Sequence, residues 1–211
     1  MNDSDTHMNP QKRPRILIVG AGAVGQIYGY YLVQGGADLT FFVKPKYEAA
    51  TKAGFTFYHL NQKKHRTTPI PFNDYQVCTE PEQVAAKTYD MVWLCISATA
   101  LRGDWLDPFL RATGDATIVL MTPGLEDREH VAAKIPSERI VSGMIHFISY
   151  QTPLPIPLEW PVSKLGREES KRQKGIAYYL PPGGKSPFFG AEERLLSVVN
   201  ALKRGKFPAS R

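Results

Sequence analysis

Three glycines in the stretch RILIVGAGAVGQIYGYYL, from Arg15 to Leu32, stand at the spacing G-x-G-x-x-G. Such a pattern works through what it leaves out. Gly20 permits a tight turn, Gly22 lets the main chain approach a pyrophosphate, and Gly25 lets a helix lie close on a strand. Ala21, Ala23 and Val24 complete the loop, and the helix that follows adds amide donors and a partial positive charge. A bare glycine motif says little. This one follows the apolar run Ile16 to Gly20 and opens a helix expected from Val24 to Gln34, which is the context that makes it a dinucleotide site rather than a tight turn without a ligand.

The second chemical feature decides which dinucleotide. About 20 residues beyond the glycines an Asp or Glu would accept hydrogen bonds from the ribose hydroxyls of NAD. The sequence there reads VKPK, with Lys44, then Lys46, and no carboxylate before Glu48. A 2′-phosphate would meet cations instead of a repelling carboxylate, so the cofactor expected is NADP. A solvent-facing lysine pair is the plainer alternative, since lysine is a less directional phosphate ligand than arginine.

Other reactive residue types are sparse, and no catalytic residue is assigned. Cys78 and Cys95 lack a Cys or His neighbour at metal-ligand spacing, which disfavours both a zinc site and a disulfide framework, so no metal is expected. Cys95 reads as a small buried hydrophobe of a reduced protein. His146 lies in an apolar run, where a core or edge histidine is a simpler reading than a general acid. The runs NQKKHR and GREESKRQKG are read as solvated turns rather than as phosphate or partner sites.

The elements that must position these residues follow from periodicity. LTFFV, Leu39 to Val43, reads as a second buried strand that closes a βαβ unit. The segment Gly54 to Thr79 reads as a hairpin at the sheet edge. The alternation then resumes with strands over 89–97, 116–121 and 139–149, and with helices over 100–111 and near 127–133. Between Thr152 and Gly190 proline, glycine and short β pieces suggest hairpins capping the sheet edge. Leu195, Leu196, Val198, Val199 and Leu202 form the stripe of a last amphipathic helix. The expected class is α/β: a Rossmann-like, doubly wound, mostly parallel sheet with a C-terminal β-hairpin extension.

Composition sets outer bounds. The 211 residues are 43% hydrophobic and 22% charged, enough for one sizeable core, here placed at 15–208 behind a disordered tail at 1–14. The net charge of +6 comes without a basic, aromatic-interleaved cluster, which argues against nucleic acid and modestly for small anionic ligands. The polar start lacks the apolar core of a secretory signal, and no window is long enough to span a bilayer. A soluble cytoplasmic protein is expected.

GAGAVGQIYG, Gly20 to Gly29, resembles the motif of the ketopantoate reductase family, and ATIVLMTPG, RIVSGMIHFISYQ and KGIAYYLPPGGKSPFFGAEE follow in that family's order. The resemblance implies NADPH-dependent reduction of a 2-keto acid, 2-dehydropantoate to pantoate in pantothenate biosynthesis, in a cleft facing a C-terminal helical domain. That domain, which brings the family's lysine, carboxylate and serine, is expected to be absent from these 211 residues. The isolated chain is then expected to bind cofactor without turnover and to expose apolar surface that favours homo-oligomers. The resemblance also assigns Ser97, Ala98, Pro123 and Gly124 to the nicotinamide side. Two of these depart from the family: Ser97 replaces a usual lysine, and Pro123 replaces an asparagine, removing an amide and a backbone donor. They leave two alternatives open, an inactive stand-alone NADP-binding module and a related dehydrogenase for another keto acid.

Overall fold

In the first strand, β1 (Arg15–Val19), a continuous apolar run is divided by the pleat between two faces. Ile16 and Ile18 join a cluster with Ile27, Tyr28 and Leu32 of α1 (Ala23–Gln34), while Leu17 and Val19 join a second cluster on the opposite face. A strand covered on both sides is central, and the computed structural model, which describes residues 13–122, 124–154, 168–169 and 171–211, places β1 there.

On one side of β1 lie β2 (Asp38–Phe42) and then β5 (Gln76–Cys78). On the other lie β6 (Met91–Leu94), β7 (Thr117–Leu120) and β8 (Ile140–Gly143). These six strands are parallel, with Val19 level with Phe42 and Leu94, and Leu94 with Leu120, so their carboxyl ends open on one rim. β11 (Ser186–Phe189) adds antiparallel to β8, and β12 (Ala209–Ser210) runs beside β11. The sheet is therefore mostly parallel and Rossmann-like. α7 (Glu192–Arg204) packs beside α1, burying Leu195, Val198, Val199 and Leu202, whereas Leu196 is exposed at the edge of the stripe.

Several expectations need correction. The hairpin within 54–79 forms, as β3 (Phe55–His59) against β4 (Ile70–Phe72), but it belongs to a separate sheet and not to the main sheet's edge. That second sheet has the order β4, β3, β10 (Gly175–Tyr179), β9 (Ile148–Thr152). Aromatic packing explains its place: Phe57 and Phe72 lie edge-on to Tyr30 of α1 at 5.4 and 5.7 Å between ring centres, so the hairpin folds over the helix. The main-sheet edge is taken by β5, from the end of the same segment.

The strand expected over 139–149 is two strands in two sheets. β8 stops where Gly143 pairs with Phe188, and the chain then crosses to β9. The helix expected over 100–111 is also two pieces, α4 (Ala98–Leu101) and α5 (Leu106–Ala112). The Trp105 indole donates a hydrogen bond to the Ala100 carbonyl at 2.9 Å, over Gly103, and this closes the chain on itself between them. Of the hairpins expected after Thr152, β10 joins the second sheet and β11 caps the main one; residues 1–12, Pro123, 155–167 and 170 lie outside the described residues. The run NQKKHR forms a short 3-10 turn, Lys63–Arg66. No helix among the described residues is long and apolar enough to cross a membrane.

Candidate dinucleotide cleft

The helix after β1 returns to β2 and the chain after β6 departs the other way, so the carboxyl ends of β1 and β6 bound a crevice of the kind where open parallel sheets take ligands. The glycine loop crosses this crevice, and each glycine has its own reason. Gly20 has φ +93°, and a Cβ there would sit 2.7 Å from the Cys95 carbonyl at the end of β6. At Gly25 a Cβ would collide with the Gly20 carbonyl. Gly22 is the reverse case: it is exposed, and a Cβ would find nothing within 4 Å. Packing requires two of the glycines. The third faces open space.

Gly22 is the N-cap of α1 but has no side chain to cap it, and the first turn, which contains Ala23, Val24 and Gly25, carries no acidic residue. The amides at this helix end thus point outward without a carboxylate to compete for them. Ala21 is fixed from behind by the Gln26 side-chain amide, which donates to its carbonyl at 2.7 Å. An uncapped, unopposed helix terminus beside an open glycine fits a pyrophosphate.

Lys44 stands two residues past β2, exposed, at the start of the 3-10 turn Pro45–Tyr47. Phe42, its neighbour within the strand, accepts a hydrogen bond from the Gly20 amide at 3.0 Å, which ties the lysine's base to the glycine loop. Lys46 instead lies over the Tyr47 ring, 4.9 Å from its centre. The structure separates the two lysines, leaving Lys44 at the rim.

Ser97 and Ala98 follow β6. The Ser97 hydroxyl accepts from the Ala100 amide at 3.3 Å and caps α4, which Ala98 begins. Gly124 is the N-cap of α6 (Leu125–Ala132) after β7; Pro123 is outside the described residues. Arg102, the residue that ends α4, ties it to α6: its guanidinium lies 2.9 Å from the buried Asp127 carboxylate. Cys95, at the end of β6, has its thiol pushed well above the usual range by burial, and burial likewise pushes Cys78 up to about 11. Both stay protonated at neutral pH and are poor nucleophiles. His146 is neither a core nor a strand histidine: it is exposed, in the connection from β8 to β9, with its ring against Gly184. Among the described residues no group of His, Cys, Asp or Glu side chains converges to hold a metal.

One group escaped sequence reasoning. Thr122, Arg128 and Ser142 line a depression of about 330 Å³ beside Gly124, at the ends of β7 and β8. No motif spacing marks them, because they come from different elements and only the alignment of two strand ends brings them together. A larger groove, about 670 Å³, lies at the amino ends of β1, β2 and β5 around Arg15 and Asp38. It is at the wrong end of a parallel sheet for this chemistry.

Comparison with known proteins adds to this geometry. Residues 16–155, more than half of the 211, match the family model for ketopantoate reductase PanE/ApbA. Among solved structures, the 2-dehydropantoate 2-reductase of Geobacter metallireducens superposes with a TM-score of 0.66 at 19% identity, over 92% of this chain and 56% of that one. The enzyme of that name from Methylococcus capsulatus gives 0.61 at 21%, with 92% and 56% covered. A D-mandelate dehydrogenase solved with NADH and anilino(oxo)acetate gives 0.64 at 16%, with 93% and 56% covered. These likenesses show the shared fold, and the chain spans little more than half the length of the structures it matches. No curated protein sequence matches it.

Proposed function

Because the chain belongs to the ketopantoate reductase PanE/ApbA family, we propose that residues 15–208 form the NADP-binding domain of a reductase that converts a 2-keto acid to a 2-hydroxy acid, with 2-dehydropantoate as the first substrate to test. The observation that carries this reading is the contrast among the three glycines: packing occupies the Cβ position at Gly20 and Gly25 and leaves it open at Gly22, where a dinucleotide must pass. When bound, the nicotinamide supplies the hydride. The chain's own part is to bind and orient. Amides of the loop from Gly20 to Gly25 hold the pyrophosphate, Lys44 meets the 2′-phosphate, and Ser97, Ala98, Pro123 and Gly124 border the nicotinamide end. Free, protonated cysteines suit the reducing cytoplasm.

A second reading, an NADP-binding module without turnover, draws on Ser97. Its hydroxyl already caps a helix, and a serine or threonine alcohol is a poor acid for a developing alkoxide. For the 211 residues alone we expect NADPH oxidation slower than about 1 s⁻¹ with 2-dehydropantoate or branched 2-keto acids, below the usual enzyme range. Faster turnover would place an effective acid among these residues and remove the second reading. Titration of NADPH and NADH by fluorescence tests the cofactor: NADPH should bind at least about tenfold more tightly, and equal affinities would sink the NADP assignment.

A further inference from the structure

With four residues, α4 is too short to hold its own direction, since a single helical turn is marginal without tertiary support. It begins at Ala98, directly after Ser97, and contacts from outside fix its course. The Trp105 indole holds the Ala100 carbonyl, and two further contacts reach α6. His130 Nε2 lies 3.1 Å from the Leu101 carbonyl, which can only accept, so the ring donates there. One residue further on, the Arg102 guanidinium pairs with the Asp127 carboxylate. Leu101 and Val131, both fully buried, share one apolar cluster and add a third tie between the same two helices.

The same carboxylate bears on the rim. Asp127 meets Arg102 through Oδ1, and a Cβ added at Gly124 would stand 3.0 Å from its Oδ2. The Gly124 carbonyl accepts from the Asp127 and Arg128 amides, each at 3.2 Å, so Gly124 and the first turn of α6 form one unit. The two partners of the pair are unequal. The Arg102 side chain is 41% exposed and that of Asp127 only 8%, and Asp127 has no other ion pair among the described residues. Without Asp127 the arginine returns to water. Without Arg102 a buried carboxylate is left uncompensated and must turn toward water, taking the first turn of α6 with it.

The geometry points to Arg102 and His130 as positioning residues: together they clamp α6 to α4 and so fix the separation of Ala98 and Gly124, between which the nicotinamide ring is received. The proposal rests on the dinucleotide reading above and adds that the width of the nicotinamide end is set by side chains that need not touch the cofactor. The pyrophosphate loop is independent of this clamp, because Gly20 is held by the Phe42 carbonyl and packed on that of Cys95.

The test compares two ligands on the 211-residue chain: NADPH by fluorescence titration, and 2′-phospho-ADP-ribose, which is NADP without its nicotinamide ring, by calorimetry. Wild type should bind NADPH about tenfold more tightly than the ringless analogue, as one or two hydrogen bonds to the carboxamide would give. Arg102→Met should lower NADPH affinity about five- to tenfold and leave that of the analogue within about twofold, a selective loss that general destabilisation would not produce. His130→Phe removes one neutral hydrogen bond and should lower NADPH affinity alone by about two- to fivefold, while Arg102→Lys should recover part of the arginine's effect. Melting temperatures establish which variants are folded, and if Arg102→Met is not, Arg102→Lys and His130→Phe carry the same comparison. Equal weakening of both ligands in the folded variants, or of neither, overturns the proposal and leaves the dinucleotide reading standing. Equal affinity of wild type for the two ligands also overturns it, because the clamp would then shape no nicotinamide site. Failure of wild type to bind either ligand removes the dinucleotide reading, and the clamp's role with it.

Discussion

The two ends of the proposed cleft are built by different means. At the pyrophosphate end position is set by backbone against backbone: Gly20 abuts the Cys95 carbonyl, and Gly25 lies against Gly20 itself. At the nicotinamide end position is set by side chains, with Arg102, just past α4, reaching the buried Asp127 of α6. Backbone contacts of this closeness tolerate no added atom. Side-chain pairs tolerate exchange, so the first end should be the less forgiving of substitution.

That comparison can be broken in graded steps. The largest effect is expected from Gly22→Asp, which projects a carboxylate into space that is open in the folded chain. NADPH binding should fall by more than about a hundredfold, roughly 2.7 kcal/mol, with the melting temperature almost unchanged. Calorimetry paired with thermal melting checks both halves, and retained binding in the folded variant would mean that the dinucleotide lies elsewhere. Gly25→Ala should do the opposite. Its methyl group meets the Gly20 carbonyl, and overpacking should cost about 1 to 3 kcal/mol of stability, read as a melting temperature lowered by several degrees.

Lys44→Glu comes next, at about 1.5 kcal/mol, because its phosphate contact would be charge-assisted but exposed. Preference for NADPH over NADH should disappear in paired titrations while NADH binding persists. At the nicotinamide end Asp127→Asn should cost about 1 kcal/mol of stability, since Arg102 can turn back to solvent. A drop as large as that of Gly25→Ala would erase the distinction between the two ends.

The smallest effect at neutral pH concerns the face by which α1 is held. Burial pushes the Tyr31 and Tyr75 hydroxyls up to about 12, and the Tyr31 hydroxyl is shared with Tyr178 at 3.0 Å. Their raised folded pKa means that the folded state keeps protons the unfolded chain releases near its ordinary value of about 10. Their contribution is therefore complete below pH 10 and is lost as pH rises from 10 through 12. Melting temperatures over that window should fall, and less steeply in Tyr31→Phe.

Elements whose signal is local could be read directly from the order of the residues. Ile16 to Val19, the three glycines and α1 form one unbroken pattern of strand, turn and helix, and the stripe from Leu195 to Leu202 declares a helix without reference to anything else. The expected parallel sheet and its family followed from these residues, because period and turn chemistry act between near neighbours. Features that depend on distant partners emerge with the packing. Phe57 and Phe72 place a hairpin over Tyr30 instead of on the sheet edge, Gly143 ends a run that reads as one strand, and Ser97 spends its hydroxyl on a helix cap. Arg128 and Ser142 carry no signal of spacing at all. They meet because β7 and β8 end on the same rim, and a contact made across two strand ends is written in the packing of the sheet rather than in the order of the residues.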